Sequence, residues 1–239
     1  MTVHASLYIP EMHSFCDRWC ERCTMTKRCK SCALDLDDDD ANRATRNEQL
    51  WSAVAEKLPD ALRLIEAAAS EQRSASAPLL DVPSDLPCQT AATAQHLLDA
   101  AHNYALAVYG WLAGHSAFAA ERRPPASPTC QQSDVLECSE AHAFSISDAL
   151  EVVSWYGGMI AAKIAGGTWC RDDVDSGFIK IALLGMDRSL GAWAFLREAL
   201  PDEADTILSL LADLDRLRHQ TERAFPLAWA FRRPGFDDG

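Results

Sequence analysis

The chain has no Gly-rich phosphate loop, no G-x-S-x-G elbow and no H-E-x-x-H pair. A nucleotide-dependent or hydrolytic chemistry therefore has no residues to carry it. No uncharged run approaches the roughly 18 apolar residues of a membrane span. The most apolar stretch, Trp155 to Ala165, is short and carries Lys163. Met1 to Pro10 lacks the basic start and apolar stretch of a signal peptide. These absences lead us to expect a soluble, cytoplasmic protein without membrane contact, in which structural disulfides have no place. Positive charge is also scarce: 22 Lys and Arg stand against 35 Asp and Glu, a formal net charge of -13. Nucleic-acid binding depends on neutralising phosphates, so nucleic acid is not an expected partner.

What the chain does have is sulfur in one place. Of its 9 cysteines, five fall in the run Cys16, Cys20, Cys23, Cys29 and Cys32, spaced C-x3-C-x2-C-x5-C-x2-C. In a reducing compartment such density points to a thiolate-held metal, Zn2+ or a [4Fe-4S] cluster. Two quartets are possible, with His13 as a further donor. One is Cys16, Cys20, Cys23 and Cys29. The other is the pair of C-x2-C knuckles, Cys20, Cys23, Cys29 and Cys32, whose intervening loop is short for a zinc ribbon; the first quartet is preferred. On one continuous helix, Cys16 to Cys23 would climb about 10 Å, too far for three sulfurs to reach one zinc at roughly 2.3 Å. Either a helix breaks near Cys20 to Cys23, or these three do not bind one ion. Cys16-x3-Cys20-x2-Cys23 also matches the three-cysteine signature of radical SAM enzymes, but no strand-and-helix barrel follows it. Arg18, Arg22, Lys27, Arg28 and Lys30 outnumber Asp17 and Glu21 here, which suits the balancing of thiolate charge. Cys88, Cys130, Cys138 and Cys170 are dispersed and read as ordinary residues.

The rest reads as helical, with hydrophobic residues at 48%, enough for a sizeable core. The expected fold is all-α: an antiparallel helical bundle over residues 41–239, preceded by a small Cys-rich metal-binding module at 1–36. The acidic run Asp35 and Asp37 to Asp40 separates them as a solvated tether. Leu50, Trp51, Val54 and Leu58 mark a helix from Arg43 to Lys57 that Pro59 ends, and Pro59 starts another. Ala77 to Gln89, with three prolines, is a connector, and Arg122 to Glu140 a long irregular crossover. Core helices are expected at about 90–119, 147–165, 178–200 and 202–225. Ser147 caps the second of these and Gly166-Gly167 ends it. Pro201 stops the third. Ile207, Leu210, Leu211, Leu214 and Leu217 form the stripe of the fourth.

Inside the bundle, His96, Asp99 and His102 are a candidate second metal site, because Asp99 and His102 share a helix face. Di-iron bundles repeat an acid-x-x-His motif on two helices; here it occurs once, with Asp148, Glu151 and Asp187 as candidate oxygen donors. Asp187 and Arg188 interrupt an apolar helix and need partners; Asp213, Asp215, Arg216, Arg218 and Glu222 are available for an ion pair. Trp155, Tyr156, Trp193 and Phe195 read as packing.

Phe15 to Cys23, Leu214 to Arg218 and Arg233 to Asp237 together resemble a bacterial protein group with an N-terminal cysteine motif and a helical remainder. The resemblance carries no activity. It implies a bacterial cytosolic origin and a fixed role for Cys16, Cys20, Cys23 and Cys29, with Cys32 extra to the pattern. The expected function is a thiolate–metal module that anchors or regulates a bundle binding another protein. The alternative is an iron–sulfur redox enzyme or sensor with the second metal near His96, Asp99 and His102.

Overall fold

A computed structural model describes residues 8–31, 43–73, 91–115, 144–169 and 174–237. Among these are five α-helices and no strand: α1 (Arg43–Arg73), α2 (Ala91–Gly114), α3 (Ile146–Trp169), α4 (Val174–Ala199) and α5 (Ala204–Ala224). The protein is all-α, as its periodicity implies. None of the described helices is long and apolar enough to cross a membrane. Cys32, the acidic run Asp35 to Asp40, both Pro-rich connectors, and Cys88, Cys130, Cys138 and Cys170 lie outside the described residues.

The helix α4 is the central strut. It packs along α1, α3 and α5, and Ile179, Ala182, Leu183, Met186, Leu190, Trp193 and Leu196 are buried along it. Gly166 faces Phe178, while Gly185 faces Tyr156 further back along the partner, so α3 and α4 run antiparallel. A helical turn at Pro201–Glu203 joins α4 to α5, which returns alongside it; Arg218 reaches Asp187 at 2.6 Å. This is the interior ion pair that the Asp187-Arg188 interruption called for. The helix α1 runs parallel to α4: Trp51 meets Arg188, Val54 meets Gly191 and Lys57 meets Glu198 in the same order. At that crossing a Cβ on Gly191 would lie 2.2 Å from the Val54 carbonyl oxygen. Only glycine permits so close an approach.

Three helix boundaries differ from expectation. Pro59 lies inside α1 rather than between two helices. A proline in a helix interior costs about 3 kcal/mol, mainly by orphaning the carbonyl four residues back. Pro59 and Ala55 are both exposed, so water can serve that carbonyl. Leu50, Val54 and Ala61 meanwhile hold the other face in the core. The cap of α3 is Ser145, not Ser147. Its hydroxyl accepts from the Asp148 N–H at 3.1 Å, and Asp148 accepts the Ser145 N–H at 3.2 Å in return. Such a reciprocal box is worth about 1 kcal/mol. Gly166-Gly167 does not end α3, which continues to Trp169; a Cβ on Gly166 would sit at ordinary contact distance, 3.5 Å, from the Phe178 ring.

Candidate metal centre

The cysteine segment is not a continuous helix. It is a series of short 3-10 turns: Met12–Phe15, Cys20–Arg22 and Thr26–Arg28. Each turn delivers a cysteine at its C-cap in extended conformation, namely Cys16, Cys23 and Cys29. A break near Cys20 to Cys23 is therefore present. Arg18 adopts a left-handed backbone with φ 58°. That is uncommon for a residue with a Cβ, and it lies between Cys16 and Cys20.

These turns bring Cys16, Cys20, Cys23 and Cys29 to the lining of one small cavity, walled by Met12, Trp19 and Phe236. Among the described residues no disulfide joins them. Burial pushes the Cys23 thiol up to about 11, and the neighbouring Cys16 and Cys20 add to the rise. Burial also raises Cys16, with Cys29 contributing. Backbone N–H groups already serve two sulfurs: Met25 donates to Cys23 Sγ at 3.3 Å, and Arg18 donates to Cys16. Such bonds favour the thiolate. As placed, however, no group of three or more His, Cys, Asp or Glu among the described residues could hold a metal ion. The cysteines share a cavity without being drawn to single-ion distance.

The bundle fixes this segment through residues that the cysteine pattern did not single out. Buried Asn47 of α1 donates to the carbonyls of Glu21 at 2.9 Å and Cys23 at 3.3 Å. Trp51 Nε1 donates to the Arg22 carbonyl at 2.8 Å. Trp19 enters the main core, stacked on Trp155 with centroids 5.0 Å apart and edge-on to Trp51 and Tyr156. Asp17, next to the first cysteine, accepts from the Tyr156 hydroxyl at 2.6 Å and from Arg188 Nη1 at 2.7 Å; Arg188 also donates to the Tyr156 oxygen. Arg22 bonds Asp148 at 2.9 Å and Glu151 at 2.5 Å. From the far end of the chain, Arg233 and Lys180 hold Asp237 at 2.9 and 2.7 Å, which seats Phe236 in the cavity wall. Gly235, at φ 79°, makes the turn. A sequence signal existed for some of these. Asn47 lies on the Leu50–Val54 stripe, where a polar side chain requires a partner.

The other candidates lie elsewhere. His13 is exposed; its carbonyl accepts from the Cys16 thiol at 3.3 Å. His96, Asp99 and His102 are exposed on α2, and Asp99 accepts from Gln95 at 2.8 Å. Asp148 and Glu151 serve Arg22, and Asp187 serves Arg218, so these carboxylates do not gather around His102. Tyr156 and Trp193 are fully buried packing, while Trp155 keeps 37% of its surface exposed.

Comparison with protein-family models, curated proteins and solved structures returned no match for this chain.

Proposed function

We propose that Cys16, Cys20, Cys23 and Cys29 hold an inorganic centre through four thiolates, and that this centre locks the amino-terminal segment onto the bundle as a regulatory or interaction module. The observation that carries this reading is the shared cavity. Four cysteines from three separate turns line one space, in a segment with no helix or strand to bring them together otherwise. Their chemistry suits a soft or borderline metal. Burial raises the Cys16 and Cys23 thiols, so binding a metal there releases protons. Cysteines at this density, read as metal ligands rather than as disulfides, fit a reducing compartment such as the cytosol. A centre here reports directly to the helices, because Asp17 and Trp19 lie between its ligands and also belong to the Tyr156–Arg188–Trp51 network.

A second reading, an iron–sulfur redox protein, rests on the same four cysteines at one cavity. A cubane holds its four thiolates further apart than one zinc ion does. Metal analysis with an absorption spectrum on anaerobically purified protein decides between the two. One equivalent of zinc in colourless protein supports the structural module; iron and inorganic sulfide with broad absorption near ~400 nm, arising from thiolate–iron ligation, support the cluster. Protein that takes up neither zinc nor iron refutes both.

A further inference from the structure

Beside the cysteine cavity lies a second one, lined by Cys16, Asp17, Arg22, Cys23, Thr24, Trp51, Arg188, Arg233 and Phe236. Its lining concentrates arginines, while the carboxylates that pair with Arg22 and Arg233, namely Asp148, Glu151 and Asp237, stand outside it. A molecule of net charge -13 places Arg22, Arg188 and Arg233 around this one space against Asp17 alone. We propose that it is a binding site for a small oxyanion, a carboxylate or a phosphate-like group, next to the thiolate centre.

The three arginines come to the cavity from three parts of the chain, and each is held by partners of its own. Arg22 is fixed through Nη2 by Asp148 and Glu151 of α3. Arg233 gives Nε and Nη2 to Asp237. Arg188 gives Nη1 to Asp17 and Tyr156 and lies over the Trp51 ring, 3.9 Å from its centroid. A guanidinium has five N–H donors, more than these partners use. All three are part-buried, with side-chain exposures of 23%, 15% and 30% for Arg22, Arg233 and Arg188. Arginine forks match carboxylate and phosphate oxygens geometrically. Forks already oriented by carboxylates and an indole lose little freedom when they take another oxyanion. The Thr24 hydroxyl adds one donor. Size sets the class: about 40 Å³ of space for water centres holds on the order of three waters, room for phosphate, acetate or bicarbonate and too little for a nucleotide.

The rival account is that these arginines serve only to balance four thiolates. Titration of the full-length protein, carrying whatever metal it is purified with, separates the two. Inorganic phosphate and acetate are titrated in parallel at constant ionic strength set with chloride, and binding is read by calorimetry. Saturable binding of either anion is expected; which one binds identifies the ligand class. Arg22→Gln and Thr24→Phe should each weaken it at least ten-fold, the first by removing a fork and the second by filling the space. Arg22 is tied to surface carboxylates, so a retained melting transition verifies that the variant is folded. The proposal is overturned if neither anion saturates, or if binding is the same in both folded variants. Because uptake of the anion is read independently of metal content, this result stands apart from the identity of the centre.

Discussion

Arg188 grips Asp17 at 2.7 Å across 171 positions of sequence. The pair joins the middle of the central helix to the residue that follows the first cysteine. It is part-buried, and Tyr156, buried beside it, has its hydroxyl pKa raised well above the ordinary value by burial above all. The phenol therefore stays protonated and donates. Removing the carboxylate leaves a guanidinium and a phenol without their acceptor. Asp17→Ala should cost about 1–3 kcal/mol in urea denaturation, and Asp17→Asn, which keeps an acceptor oxygen, distinctly less. Equal midpoints for wild type and Asp17→Ala would mean that the network adds nothing to the fold.

A second test concerns how closely α1 approaches α4. Gly191→Ala places a methyl 2.2 Å from the Val54 carbonyl oxygen. Neither atom is the end of a flexible side chain, so the helices must separate. A loss of about 1–3 kcal/mol or more is expected. Gly110→Ala on α2 is the control: nothing lies within 4 Å of its added carbon, and alanine is the better helix former by about 1 kcal/mol. Thermal melts should move in opposite directions. If Gly191→Ala melts with the wild type, the crossing is looser than described.

The helices were legible because each rests on local pattern. The α5 stripe Ile207, Leu210, Leu211, Leu214 and Leu217 is buried throughout, and helical rise alone posed the choice between a break near Cys20 to Cys23 and cysteines that do not share one ion. What was not legible depends on tertiary company. Pro59 ends a helix in isolation, but here its carbonyl cost falls on an exposed face. Gly166-Gly167 ends a helix in isolation, but here the helix runs on to Trp169 alongside Phe178. The Asp187–Arg218 pair was foreseeable from charge interrupting an apolar helix. The partner of Arg188 was not, since nothing local connects positions 17 and 188. Phe236 and Arg233 reach the site only because the tail folds back over the cysteine segment.

That tail should be sensitive to acid. Burial works against the Asp237 carboxylate, but hydrogen bonds from Arg233 and Lys180 outweigh it and hold its pKa well below the usual range. A depressed folded-state pKa gives stability that is complete above the unfolded value, near ~3.9, and that is lost as pH falls toward the folded one. Wild type should therefore melt above Asp237→Asn by a constant margin from pH 7 to pH 5, and the margin should shrink below about pH 4. A margin unchanged at pH 3, or absent at pH 7, would show that the ion cluster does not anchor the tail.

The cysteines themselves give the sharpest test, because the two quartets differ by one residue. If Cys16, Cys20, Cys23 and Cys29 are the ligands, Cys16→Ser should lose the metal and Cys32→Ser should keep it; the double-knuckle quartet demands the reverse. Cys20→Ser and Cys23→Ser lose it under either. Metal per chain, measured after purification and gel filtration, reads this directly. Loss of the centre should also be felt beyond the segment. Trp19 is buried among Trp51, Trp155 and Tyr156, so releasing it opens apolar surface on the bundle. The melting temperature should fall, and the near-ultraviolet circular dichroism of the stacked indoles should change together with metal content. Full metal in both Cys16→Ser and Cys23→Ser would remove these cysteines from the centre altogether.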